Sequence, residues 1–85
     1  MANHPSAEKR NRQATKQRLR NRTVRGRMRT AIKATLKAIE EGRKEDAQAL
    51  AKESYRLIDR AYSKNVVKRN KASRLISRLH ARVNA

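Results

Sequence analysis

Lys71, Arg74, Arg78 and Arg82 recur at spacings of three, four and four. That interval puts side chains on one narrow face of an α-helix. Four cations along such a ridge offer no nucleophile and no proton acceptor. Their chemistry is the capture of anions, phosphate oxygens above all, through charge-assisted hydrogen bonds. A helix face that serves only solvation normally mixes signs, yet residues 60–85 contain no Asp or Glu. Lys64, Lys68 and Arg69 extend the ridge through the preceding turn.

A second concentration of cations lies at the other end of the chain. Residues 1–39 hold 12 Lys and Arg against the single acid Glu8. Lys9, Arg10, Arg12, Lys16, Arg18, Arg20 and Arg22 point all round a helical axis, and Arg25, Arg27, Arg29 and Lys33 continue the run. The bland reading of such a stretch is a solvated or disordered tail. Its length, its helix-like start and its continuity with an amphipathic segment favour phosphate binding instead, with the polyanion ordering the segment. Charge on every side suits folded RNA better than the groove of a smooth duplex.

Other chemistry finds little support. His4 and His80 are the only histidines and lie near opposite termini. The acids Glu40, Glu41, Glu45, Asp46, Glu53 and Asp59 cluster beside Lys and Arg, as surface ion pairs do. With no cysteine and no phosphate-cradling glycine loop, the expectation is no enzyme, no cofactor and no metal. Tyr55 and Tyr62 are suited to stacking on bases, but both fall at the margin of an apolar face, where ordinary packing is the simpler role. Asn3, Gln13, Asn21, Asn70 and Ser77 can hydrogen-bond sugar or phosphate oxygens and are also ordinary helix-surface residues. Gly26 either admits a close approach of RNA or a slight bend, or is simply tolerated.

The elements that must position these groups follow from apolar spacing. Eighty-five residues without Phe or Trp make one small domain with a thin aliphatic core. A formal charge of +17 draws it to polyanions, and bound partner adds the stability that such a core lacks. No apolar run approaches the roughly 20 residues that span a bilayer, and a cytoplasmic location is expected. The expected fold is all-α: an antiparallel three-helix bundle with a long, projecting basic N-terminal helix.

Helix one is expected over about 7–41, from Ser6 as N-cap to a stop at Gly42, which takes the left-handed conformation without steric cost. Val24, Met28, Ile32, Leu36 and Ile39 form its apolar stripe. Before Val24 the only large apolar side chain is Leu19, so residues 7–23 have no core to pack on and must project. Helix two is expected over about 44–63, burying Ala47, Leu50, Ala51, Ser54, Leu57, Ile58 and Ala61, with Asn65 supplying a left-handed turn. Its other face, Arg60 included, suits solvent. Helix three is expected over about 69–83, with Ala72, Leu75, Ile76, Leu79 and Val83 inward. Short links imply antiparallel neighbours.

The chain resembles the bacterial small-subunit ribosomal protein family called S-twenty. Ala2-Asn3, Ser6-Ala7 and Lys9-Arg10 look like its opening, and Arg29-Thr30, Ile32-Lys33, the Gly42 turn and Ile58-Asp59 follow in order. Lys64 through Asn70-Lys71-Ala72, then Arg74 and Ser77-Arg78-Leu79, continue the match. Three positions depart from the family: Asn65 where Gly is usual, Lys68 where His is frequent, and Arg43 where a capping Asp is common. The resemblance implies a primary rRNA-binding protein of the small subunit, its arm buried in 16S rRNA, touching the 5′ domain and the long penultimate 3′ helix. It also implies few protein contacts in the subunit, no membrane and no homo-oligomer.

The expected mechanism is electrostatic clamping, in which the arm threads into RNA and the helix-three ridge grips a second segment. The expected RNA contacts are Asn3, Ser6, Lys9, Arg10, Arg12, Lys16, Arg18, Arg20, Asn21, Arg22, Arg25, Arg27, Arg29 and Lys33 in the first helix. In the last turn and helix they are Lys64, Lys68, Arg69, Asn70, Lys71, Arg74, Arg78 and Arg82. The rival binding role is histone-like compaction of DNA, and the more distant one a membrane-active basic peptide.

Overall fold

The computed structural model describes residues 5–85. Three helices make up the architecture: α1 over Pro5–Glu40, α2 over Lys44–Ser63 and α3 over Arg69–Val83. Among the described residues there is no strand. The principal extents, 61 × 22 × 14 Å, reflect the length of α1, whose 36 residues rise roughly 54 Å.

α1 begins two residues earlier than expected, and Ser6 therefore lies inside its first turn rather than at the N-cap. Proline is well suited to open a helix, because the N–H it lacks would have had no intrahelical partner there. Both expected stops hold. Gly42 has φ +74° and Asn65 φ +60°. At the first, Gly42 N donates to Ile39 O at 3.1 Å and Arg43 N to Ala38 O at 2.9 Å. At the second, Asn65 N donates to Tyr62 O at 3.0 Å and Val66 N to Ala61 O at 2.8 Å. Each pair is a Schellman closure that satisfies the last helical carbonyls and reverses the chain.

The helices pack antiparallel in sequence. Met28 of α1, Ile58 and Ala61 of α2, Val67 of the second turn and Ala72 of α3 form one buried cluster, flanked by Val24, Ile32, Leu57, Val66, Leu75 and Ile76. Ala51, Leu79 and Val83 form a second, flanked by Ile32, Leu36, Ile39 and Tyr55. Ile32 joins the two. α2 is thus the central element, with α1 on one side and α3 on the other.

At the α1/α2 seam, Thr35 and Ala38, which lie outside the expected α1 stripe, meet Ala47 and Ser54 of the expected inner face of α2. All four are buried, and Thr35 and Ser54 are completely so. Their hydroxyl oxygens stand 3.0 Å apart across the seam. Thr35 Oγ1 is also 2.9 Å from Ala31 O, and Ser54 Oγ 3.0 Å from Leu50 O. One hydroxyl donates across the seam while its partner donates to a carbonyl of its own helix. The small side chains let the two helix backbones approach closely, and the mutual hydrogen bond removes the cost of burying two hydroxyls there.

Candidate nucleic-acid interface

From Ser6 to Arg20 every α1 side chain is exposed. Leu19, the one large apolar side chain in the stretch, is 59 % exposed. Asn21 is the first residue to be half-buried, followed by Val24 and Arg25 and then by buried Met28. The N-terminal half of α1 consequently projects from the bundle as a bare helix. Asn3 lies outside the described residues, as does His4.

Asn21 marks the boundary in a second way, since its Oδ1 is shut off from solvent and meets no hydrogen-bond donor. Thr15 and Thr23, in contrast, turn their hydroxyl protons back on the helix, to Asn11 O at 2.9 Å and Leu19 O at 3.0 Å. Arg18, Arg22, Arg25 and Arg29 share one face with Leu19 and Gly26. A Cβ at Gly26 would meet nothing within 4 Å, so no packing inside the protein asks for glycine there.

The electrostatic layout separates two groups of cations. Arg43 meets Glu41 Oε2 and Asp46 Oδ2, each at 2.9 Å, and Arg56 meets Glu53 at 2.8 Å. The hydrogen bond that Arg43 donates to Asp46, and after it the one to Glu41, raises the Arg43 guanidinium pKa above its ordinary value. Arg43 precedes α2 without capping it through its side chain; it binds Asp46 of the first turn instead. Among the described residues, no other Lys or Arg has a carboxylate within 4 Å. None of the expected phosphate-binding cations is therefore neutralised by the protein itself.

The α3 ridge is laid out as expected: Lys71, Arg74, Arg78 and Arg82 are all exposed, beside the inward Ala72, Leu79 and Val83. Lys68, Arg69 and Asn70 are exposed at the start of α3, and Lys64 is half-buried. The fold brings Lys64 to Arg20 and Arg27 of α1, which share a groove with Arg60. It does not bring the whole ridge there. Arg82 sits at the opposite end of the bundle, near Ile39, Gly42 and Lys44. Lys9 through Lys16 stand alone on the arm.

Arg60, which reads from sequence as solvent-facing on the outer face of α2 beside Asp59, lines the groove with Arg20, Arg27 and Lys64. Its membership in the acid-free C-terminal stretch was the signal that pointed the other way. The two tyrosines differ. Tyr55 is half-buried against the second cluster with its ring centroid 6.3 Å from that of His80, as packing requires. Tyr62 is 45 % exposed, so the expectation of packing fails for it: the chain turns away at Lys64 and Asn65 before α3 covers that face. Among the described residues, no three His, Cys, Asp or Glu side chains gather as a metal site requires, and no helix is long and apolar enough to cross a membrane.

Comparison with known proteins finds relatives that match along the whole chain. A family profile described as Ribosomal protein S20 matches residues 2–84. A protein named small ribosomal subunit protein bS20 from Thioalkalivibrio sulfidiphilus is 49% identical over 85 residues, covering 100% of this chain and 99% of its own. Its namesake from Azoarcus is 51% identical over 85 residues, with 100% and 97% covered. That from Syntrophus aciditrophicus is 47% identical, with 100% and 96% covered. A helical hairpin with a third helix, a bare cationic arm and an end-to-end match at this identity leave one assignment: the chain belongs to the ribosomal protein S20 family.

Proposed function

We infer that the protein is a structural component of the cytoplasmic small ribosomal subunit that binds 16S rRNA directly, through phosphates, and stabilises the folded RNA during subunit assembly. Its family is structural rather than catalytic. The observation that carries the RNA-binding reading is the stretch 6–20, a helix without a single covered side chain and with six cations against one acid. A helix with that much like charge does not stabilise itself in water. Phosphates arrayed around it supply the compensating charge, and the counterions they release drive the association.

The α3 ridge acts as a second grip. With the arm in one RNA element and the ridge on another, the protein holds the two elements at a fixed separation. We propose that those elements belong to the 5′ domain and the penultimate 3′ helix, as the resemblance implies. Replacing Arg74, Arg78 and Arg82 together with Ala is expected to lower affinity for a small-subunit rRNA fragment and to flatten the dependence of log K on log salt by about 2 to 3. An unchanged slope would remove the ridge from the interface. Stronger binding to duplex DNA than to that RNA at physiological salt would favour DNA compaction instead.

A further inference from the structure

The groove between α1 and the C-terminal end of α2 combines two kinds of recognition. Arg20 and Arg27 approach it from α1, one on each side of Thr23 and Val24; Arg60 and Lys64 approach from α2, and Val24 and Leu57 form its floor. None of these four cations has a carboxylate within 4 Å.

Cations at the end of a helix commonly serve its exposed carbonyls. Here that role is already filled. The carbonyls of Arg60, Ala61 and Tyr62 accept from the backbone N–H groups of Lys64, Val66 and Asn65. The Arg60 and Lys64 side chains are left to face the groove.

Thr23 makes the groove selective. Its hydroxyl proton is committed to Leu19 O at 3.0 Å, so the oxygen offers only lone pairs to an incoming ligand. A phosphate oxygen carries no proton to give it. A ribose 2′-hydroxyl does, and that hydroxyl is what distinguishes RNA from DNA at a contact of this kind.

We propose that this groove seats one ribose–phosphate strand, with Arg20, Arg27, Arg60 and Lys64 on its phosphates and Thr23 Oγ1 accepting from a 2′-hydroxyl. The apolar floor lies against the sugar edge. The assignment rests on the RNA-binding reading above, and adds to it a means of preferring RNA over DNA.

The test uses the full-length protein in filter binding across a salt series, against a folded small-subunit rRNA transcript and against duplex DNA of equal length. Arg60→Gln with Lys64→Gln is expected to flatten the RNA salt slope by about 1.4 to 1.8. Thr23→Val is expected to weaken RNA binding about fivefold and leave DNA binding unchanged, while Thr23→Ser retains wild-type affinity. Matching thermal unfolding profiles confirm that each variant is folded. An unchanged slope in the double variant, or equal losses on RNA and DNA for Thr23→Val, overturns the groove assignment alone. A wild-type protein with no preference for the rRNA overturns the RNA reading beneath it.

Discussion

The two halves of α1 are one continuous helix with opposite obligations. From Asn21 onward, side chains at helical intervals are covered by α2 and α3, and Met28, Thr35 and Ala38 are buried. From Ser6 to Arg20 nothing is covered. Backbone hydrogen bonding is the same in both halves, so it cannot explain the difference. The C-terminal half is held by packing, which is where most helical stability in proteins originates. The N-terminal half has only propensity to hold it, and its repeated cations work against even that. A helix whose charge opposes its own folding makes physical sense as the folded half of a complex.

The largest effect expected from this contrast concerns binding. Changing Lys9, Arg10, Arg12, Lys16, Arg18 and Arg20 to Gln should weaken rRNA binding about a thousandfold at physiological salt. The same variant should unfold at an unchanged or higher temperature, because those side chains touch no core. A fall in melting temperature would show that the arm is part of the bundle after all.

The converse change lies in the core. Ile58 is wholly buried between the helices, and Ile58→Ala should cost about 3 kcal/mol in chemical denaturation. In so small a domain that removes most of the stability. Leu19→Ala, at a side chain 59 % exposed, should change stability by less than about 0.5 kcal/mol. Equal losses at the two sites would erase the distinction between the halves.

The seam between α1 and α2 gives a finer test. Thr35→Val leaves Ser54 Oγ without its cross-helix partner, and should cost about 1 to 2 kcal/mol. The double change Thr35→Val with Ser54→Ala should cost less than the sum of the two single changes, because the cross-helix bond is then lost only once. Additive losses would mean that the two oxygens are not coupled.

The smallest effect is expected at the boundary itself. Asn21→Ala removes an enclosed, unsatisfied oxygen and improves helix propensity, and should stabilise the free protein by about 1 kcal/mol. A melting temperature that falls instead would show that the Asn21 amide supports the junction.

Much of the fold was legible because it depends on local signals. Gly42 and Asn65 end helices through backbone conformations that few other residues tolerate, and both occupy them. The apolar stripes of α2 and α3 face inward because spacing alone determines which side chains share a face. The burial of Ser54 followed from its place on the expected inner face of α2, but that of Thr35 and Ala38 was less legible. Threonine and alanine are common on helix surfaces, and only the approach of a second helix turns them into a seam. Ser6 was misread for a local reason, since Pro5 and Ser6 both favour the start of a helix and differ only in the position they prefer.

Charge followed the same division. The count of cations along the chain, the lack of acids after Asp59 and the absence of an apolar seam before Val24 were properties of the sequence alone, because each is a count or an interval. Which cations converge was decided by the tertiary structure. Arg60 and Lys64 reach Arg20 and Arg27 only because α2 runs back along α1, whereas Arg43 and Arg56 are neutralised by neighbours on their own turns. Periodicity places a residue on a face of its own helix; the packing of one helix on another determines what that face meets.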